Sequence, residues 1–159
     1  MDILRKSRNA AEEGFKNLNK FLPDFDIKKT KLEDVQPYLS ELSEIQKKVV
    51  YTQLGDRDLL REAYTMFHSG TIDEVKFGKM LLTHHQMLRD GLGASTPKIE
   101  KMLEATLKVG ALGGKINGSG GGETMFVYAP GKQKEVARAI EEAGGKAFII
   151  FEDYGTSIF

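Results

Sequence analysis

The sequence predicts an α+β domain in which helices pack on one face of a small antiparallel sheet. Apolar residues recur with a period near 3.6 as far as Gly110, which is typical of amphipathic helices. After Gly110 the period falls to about 2, which is typical of strands. A run of glycines at residues 113–122 then stands between two β-prone segments, as expected for a tight connection between paired strands.

Composition limits the classes of protein to which the chain can belong. Its 159 residues suit one domain with an ordinary apolar core. It has no cysteine, which excludes disulfides and a thiolate nucleophile and favours a reducing compartment. Lys plus Arg and Asp plus Glu balance at 23 each, which argues against nucleic acid as a partner. A charged N-terminus and the lack of a long apolar run predict a cytoplasmic protein without a membrane partner.

The first 36 residues are expected to form an N-terminal helix and a connector, and residues 37–159 the main domain. The first helix ends at Pro23, and charged residues follow it up to Asp34. A helix that begins almost at residue 1 fits either a free N-terminus or a cut through a larger protein. Its apolar stripe consists of Leu4, Ala11, Phe15, Leu18 and Leu22.

Four further helices are expected before Gly110. The second carries Leu39, Leu42, Ile45 and Val49 at helical spacing, and the third presents an apolar face made of Leu59, Leu60, Ala63, Tyr64 and Phe67. Gly70 ends the third helix, and residues 71–74 match a capping box that opens the fourth. Thr96 caps the fifth helix, which has Pro97 in its first turn and buries Ile99, Met102, Leu103 and Leu107.

Strands are expected near residues 111–117 and 123–129, on either side of the glycine run. A helix over residues 132–143 follows and directs Val136, Ala137, Ile140 and Ala143 inward. Residues 146–153 are apolar on both faces and are therefore expected to form a central strand. Residues 155–159 are a candidate for a last strand.

The glycine bend has two interpretations. It is not a P-loop, because it lacks the Gly-Lys-Ser/Thr ending and a strand follows it rather than a helix. It is either a purely structural hairpin turn or a loop whose consecutive backbone N–H groups face an anion.

Three motifs occur in the same order as in one known family. Residues 113–122, Gly-Gly-Lys-Ile-Asn-Gly-Ser-Gly-Gly-Gly, resemble the third conserved motif of the GHMP kinases, which include galactokinase and homoserine, mevalonate and phosphomevalonate kinases. Residues 85–90, His-Gln-Met-Leu-Arg-Asp, resemble the His-x-x-Leu-Arg-Asp of galactokinases, and Phe77-Gly78 fits the segment before it. Residues 95–100, Ser-Thr-Pro-Lys-Ile-Glu, resemble the galactokinase motif that comes next. The resemblance covers about residues 40–159.

The resemblance implies a ferredoxin-like C-terminal domain of a galactokinase-like sugar kinase. In that family an N-terminal domain holds the ATP loop and the catalytic carboxylate, and ATP and Mg²⁺ serve the complete enzyme. Gly118, Ser119, Gly120, Gly121 and Gly122 match the motif that closes over the nucleotide. The expected partners are then a missing N-terminal kinase domain and a sugar. This chain alone is expected to bind no cofactor tightly and to be inactive.

One departure keeps a second function open. Glu123 stands where the family usually has glycine, and a carboxylate beside a phosphate repels it. The alternative is a stand-alone small-molecule-binding or regulatory module that keeps the fold without catalysis. No carboxylate in this chain has a motif that assigns it as catalytic.

The remaining candidates lie upstream of the bend. On a helical wheel His84 falls among apolar residues and is expected in the core, whereas His85 lies at the edge near Arg89. His85 and Arg89 are therefore the candidates for the substrate side, although an ordinary ion pair of Arg89 with Asp90 is the commoner arrangement. Adjacent histidines on a helix point about 100° apart, so no metal site is expected. Residues 91–96 resemble an ATP loop but are expected to be a connector and helix cap.

Overall fold

A computed structural model describes residues 2–118 and 124–151. It contains α1 (Asp2–Leu18), α2 (Leu32–Val35), a 3₁₀ helix (Gln36–Glu41), α3 (Glu44–His68), α4 (Glu74–Leu92), α5 (Pro97–Lys108), β1 (Gly113–Asn117), β2 (Thr124–Tyr128) and α6 (Gln133–Glu142). The predicted α+β class is confirmed, with a small antiparallel sheet and helices against it. Within the described ranges, no helix is both long and apolar enough to cross a bilayer.

The N-terminal helix packs on α3 and is part of the core. Leu18 of α1 and Leu54 of α3 are fully buried in one apolar cluster. Val35 and Leu39, from the segment between them, belong to the same cluster. The domain division between residues 36 and 37 stays a prediction. Side chains from both sides of that boundary pack together in this cluster.

The predicted second and third helices are a single helix, α3. Its N-cap is Ser43, whose side chain accepts the Gln46 N–H, while the Gln46 side chain accepts the Ser43 N–H. This capping box starts the helix after Leu39 and Leu42, which instead lie in the preceding 3₁₀ turn and at its C-cap. The sequence contained this Ser-x-x-Gln signal, but the apolar period alone placed the helix start too early.

The predicted apolar face near the end of α3 is largely exposed. Leu60 is 69% exposed, and Tyr64 and Phe67 are also exposed. An amphipathic pattern shows that one face of a helix is apolar but not that the domain covers that face. Phe67 still packs edge to face on Phe77 of α4, with ring centroids 5.3 Å apart.

The turn between α3 and α4 is confirmed in outline and corrected in detail. Gly70 adopts φ +76°, the left-handed conformation expected of a glycine that ends a helix. The N-cap of α4 is Asp73, whose carboxylate accepts the Lys76 N–H at 2.9 Å, rather than the predicted Thr71. Asp caps as well as Thr does, and it lies directly before the first helical residue, Glu74.

The two strands form a hairpin whose register pairs Gly113 with Tyr128 and Asn117 with Thr124. Helix α4 runs against the outer edge of β1 at backbone contact. A Cβ added to Gly113 would lie 1.9 Å from the Gly78 carbonyl oxygen, so both positions require glycine for this approach.

Helices α5 and α6 cover one face of the hairpin. Ile116 and Met125, which are register partners, lie in a cluster with Ile99 and Met102 of α5 and Ile140 of α6. Thr96 caps α5 as predicted, with Pro97 in the first turn. Of the residues expected to be buried on α5, Leu107 is exposed.

The predicted central strand at residues 146–153 is not present over its described part, residues 146–151. Phe148 is 73% exposed and Ile150 79% exposed, and no strand pairs with the segment within the described residues. The sequence indicated a segment suited to a buried strand, but the described residues supply no neighbour to pair with it. The candidate strand at residues 155–159 lies outside the described residues.

Candidate functional site

The glycine bend starts at an open position of the hairpin. Gly118 follows β1, is exposed, and has φ +70°, a conformation that favours glycine. A Cβ at Gly118 would meet no atom of the described residues within 4 Å. The other predicted bend residues, Ser119, Gly120, Gly121 and Gly122, lie outside the described residues, as does Glu123.

A buried histidine fixes the strand that leads into the bend. His85 of α4 is 1% exposed and lies against β1. Its Nδ1 accepts the N–H of Ile116 at 3.3 Å, and its Nε2 lies 2.7 Å from Oε1 of Glu100. Because Nδ1 accepts a backbone proton, the ring carries its own proton on Nε2 and donates it to Glu100. The imidazole therefore takes the place of a neighbouring strand at the edge of β1.

Glu100 lies in the first turn of α5 and forms hydrogen bonds both to α4 and to the loop that precedes α5. One carboxylate oxygen accepts bonds from His85 and from the Ser95 hydroxyl, and the other accepts a bond from Arg89 at 3.1 Å. Burial raises the pKa of Glu100, but the hydrogen bonds from Ser95, His85 and Arg89 outweigh it, so its pKa lies below the ordinary value. The carboxylate is thus held charged, which makes it a fixed anchor for its three donors.

Arg89 is engaged on two sides. Its guanidinium donates to Asp90 through Nε at 2.7 Å and through a terminal nitrogen at 2.9 Å, in addition to its bond to Glu100. The hydrogen bond to Asp90, followed by the one to Glu100, raises the pKa of Arg89, and the hydrogen bond from Arg89 lowers the pKa of Asp90. The Arg89 side chain is 39% exposed. It therefore combines a structural role with access to solvent.

The two histidines are placed the other way round from the prediction. His85 is the core histidine, because the helix face that meets β1 carries Gly78, Leu81 and His85 at spacings of three and four. His84 is partly exposed, and its Nε2 lies 3.5 Å from Oδ1 of Asp56. The helical wheel failed because it weighed apolar neighbours alone, and the glycine that marks the closest approach carries no apolar side chain.

The segment at residues 91–96 is a connector and cap, as predicted. Gly93 has φ +64°, its N–H bonds to the Arg89 carbonyl, and the Ala94 N–H bonds to the Leu88 carbonyl. This is the pattern of a helix C-terminus closed by a left-handed glycine. The Ser95 hydroxyl is engaged by Glu100, whose negative charge lies in the first turn of α5 and disfavours a phosphate there.

Lys115 is a candidate that the sequence reasoning did not single out. It is half-buried on β1, three residues before Gly118, and its Nζ lies 5.5 Å from the centroid of the Phe126 ring. Burial lowers its pKa, with a smaller opposing effect from Asp56. The only signal in the sequence was its position inside the glycine motif, two residues after Gly113. A partly desolvated ammonium at this point suits an anionic ligand.

The described residues contain no group of three His, Cys, Asp or Glu side chains arranged to hold a metal ion.

Comparison with known proteins identifies the stretch that carries these features. Residues 54–146, more than half of the chain, match the model of the C-terminal domain of GHMP kinases. A mevalonate kinase of Thermococcus onnurineus is 36% identical over 117 residues, which are 74% of this chain and 31% of that protein. A mevalonate kinase of Pyrococcus abyssi is 45% identical over 75 residues, which are 47% of this chain and 22% of that protein. The matched part thus spans less than a third of either relative.

A solved structure supports the same fold. The galactokinase of Lactococcus lactis in complex with galactose superposes with a TM-score of 0.78 over 90% of this chain and 37% of that chain. The two sequences are 18% identical, so this likeness concerns the fold alone.

Proposed function

Because the chain belongs to the GHMP kinase family through its C-terminal domain, we propose that it forms that half of an enzyme which phosphorylates a small alcohol. The observation that carries the proposal is the hairpin of the matched segment, in which a left-handed glycine, Gly118, follows β1 and no atom of the described residues lies within 4 Å of an added Cβ. A bend of this kind lets backbone N–H groups approach a phosphate closely.

The acceptor that the relatives favour is mevalonate rather than a sugar. The relatives described above are mevalonate kinases at 36–45% identity, whereas the galactokinase likeness stands at 18%. Lys115 is the cation that we assign to the acceptor or to the transferring phosphoryl group, since it lies on the strand that enters the bend. The proposed acceptor is therefore a hydroxy acid, instead of the sugar that the sequence motifs predicted.

ATP and Mg²⁺ belong to the complete enzyme, in which ATP supplies the phosphoryl group. In this chain Gly118, Ser119, Gly120, Gly121 and Gly122 would face the nucleotide phosphates. His85 acts on them through β1, by holding Ile116. Arg89 remains a proposed substrate-side contact whose guanidinium is oriented by Asp90 and Glu100.

A chimaera tests the proposal. The matched C-terminal stretch of the Thermococcus onnurineus mevalonate kinase is replaced by this chain, and ADP formation is followed with mevalonate and, separately, with galactose. We expect turnover with mevalonate, and a loss of about 100-fold or more in kcat/KM for the Gly120→Val variant, because a side chain in the bend keeps the backbone from the phosphates. Gly70→Val, in the distant turn between α3 and α4, is the matched control.

Two results separate the proposal from the alternative. A folded chimaera that turns over neither acceptor, with a chain that binds a metabolite on its own, would support the stand-alone regulatory module. ATP consumption by the isolated chain in the presence of an acceptor would contradict the expectation that it is inactive without the other half.

A further inference from the structure

The Glu100 carboxylate lies among three hydrogen-bonding groups that differ in what they can donate and accept. It accepts from the Arg89 guanidinium at 3.1 Å and from the Ser95 hydroxyl, and its Oε1 lies 2.7 Å from Nε2 of His85. A guanidinium only donates, a hydroxyl donates or accepts, and a neutral imidazole donates through one nitrogen and accepts through the other. The charge on Glu100 therefore bears on which nitrogen of His85 carries the proton.

The other nitrogen of this imidazole has a single role open to it. Nδ1 of His85 lies 3.3 Å from the backbone nitrogen of Ile116, and a backbone N–H only donates. A ring with its proton on Nδ1 would set two donors against each other and leave the Ile116 N–H without a partner. His85 is 1% exposed, so water has little access with which to replace the lost bond.

We propose that Glu100 is a positioning residue for the glycine bend. Its ionised carboxylate selects the Nε2–H tautomer of His85, which leaves Nδ1 free to hold Ile116, two residues before Gly118. Burial raises the pKa of Glu100, but the hydrogen bonds from its three donors keep that pKa below the ordinary value, in agreement with an ionised carboxylate. The consequence for phosphoryl transfer rests on the proposed function, whereas the tautomer and the bond to Ile116 do not.

The amide of a Glu100→Gln variant should reverse this selection. Because Arg89 only donates, the amide oxygen is required on its side, and the NH₂ group then faces His85 and Ser95. The Ser95 hydroxyl can rotate and accept. His85 can accept there only at Nε2, which moves the ring proton to Nδ1 and opposes the Ile116 N–H. The substitution changes charge and tautomer while it keeps the size of the side chain.

Nitrogen NMR of the isolated chain measures the tautomer directly. The sequence has three histidines, and His85→Gln identifies the His85 signals by their loss. Long-range ¹H–¹⁵N correlations distinguish the protonated ring nitrogen from the unprotonated one. We expect the proton on Nε2 in the parent at neutral pH and on Nδ1 in Glu100→Gln.

The backbone reports whether the tautomer matters for the strand. In Glu100→Gln, hydrogen exchange of the Ile116 amide should accelerate by about tenfold or more, as expected for the loss of a buried hydrogen bond. The amide resonance of Gly118 should shift as well, because the end of β1 is no longer held at Ile116.

Two control variants separate this route from its neighbours. Glu104→Gln removes an exposed carboxylate one turn further along α5 and should leave the His85 tautomer unchanged. Asp90→Asn removes the other carboxylate partner of Arg89 and should also leave the tautomer unchanged, because Asp90 reaches the guanidinium and not the imidazole.

The chimaera described above measures the consequence for catalysis. Glu100→Gln should lower kcat with mevalonate by about tenfold, since small displacements of groups that contact the transferring phosphoryl are costly. KM for mevalonate should change less than about twofold, because the amide oxygen still accepts from Arg89. Glu104→Gln should leave both constants unchanged.

The proposal is overturned if the His85 proton lies on Nδ1 in the parent, or if Glu100→Gln leaves it on Nε2. It is also overturned if the tautomer changes while Ile116 exchange and the Gly118 resonance do not. An active chimaera whose kcat is unaffected by Glu100→Gln would refute the positioning role. A parent chimaera that turns over neither acceptor would count against the proposed function, and the NMR results would then decide this proposal by themselves.

Discussion

Replacing Gly113 by alanine should change the stability of the fold in two opposite ways. The local effect on backbone entropy is stabilising, whereas the tertiary contact between α4 and β1 makes the added methyl group destabilising. Gly113 lies in a strand and has no positive φ, so the loss of unfolded-state entropy alone would stabilise Gly113→Ala by about 0.4–1 kcal/mol. The added Cβ, however, would lie 1.9 Å from the Gly78 carbonyl oxygen, with two further backbone atoms of Gly78 within 2.8 Å. Backbone atoms cannot rotate away as a side chain does, so α4 and β1 must separate by about 1 Å or more.

The structure therefore predicts destabilisation. Overpacking of a close contact costs typically about 1–3 kcal/mol, and a contact between two backbones belongs at the upper end of that range. We expect Gly113→Ala to lose about 3 kcal/mol of unfolding free energy, which corresponds to a fall of roughly 6–12 °C in Tm for a domain of this size. Urea unfolding followed by circular dichroism measures it, provided that the m-value is unchanged.

Gly70→Ala is the matched control. Gly70 has φ +76°, but no atom of the described part of the chain lies within 4 Å of an added Cβ, so its substitution carries only a backbone cost of about 1 kcal/mol. If Gly113→Ala is as stable as the parent, or loses no more than Gly70→Ala, the backbone contact between α4 and β1 is refuted.

Three further predictions concern the network behind the bend and the cap beside it. His85→Phe should lose about 1–3 kcal/mol of stability in urea, because it leaves the Ile116 N–H unpaired in the interior. His85→Gln should recover part of that loss, and equal losses would contradict the hydrogen bond. Glu100 has a folded-state pKa below its unfolded value of 4.5, so its contribution is present above about pH 4.5 and is lost as pH falls through the folded pKa. Glu100→Gln should therefore lower stability at pH 7 and flatten the acid limb of a pH–stability curve, and an unchanged acid limb would refute this. Thr96→Ala should cost about 1 kcal/mol by removing the cap of α5, while Thr71→Ala, which caps nothing, should be close to neutral by thermal unfolding.

The sequence predicted the elements whose signals are local. Thr96 with Pro97 marked the start of α5, Gly70 marked the end of α3, and the change of period after Gly110 marked the hairpin. Each of these depends on a few adjacent residues and on backbone chemistry that no tertiary contact overrides.

The predictions that failed depend on what each surface meets. Periodicity gave α3 an apolar face at Leu60 and Tyr64, but the described residues do not cover it. It made residues 146–153 a central strand, but no neighbouring strand lies beside the described part. Of the site, the glycine motif was recognisable, whereas the burial of His85 followed from the approach of Gly78 to Gly113, which a helical wheel does not represent.

The outer edge of β1 is covered by α4, and this has a consequence for how the protein can associate. With α4 against that strand and an imidazole bonded to one of its amides, the hairpin can accept a new strand on one flank only. A sheet with a single reactive flank has a valency of one. Two such hairpins that pair through this flank leave neither hairpin with an open edge, so hairpins of this kind cannot add edge to edge into a fibre.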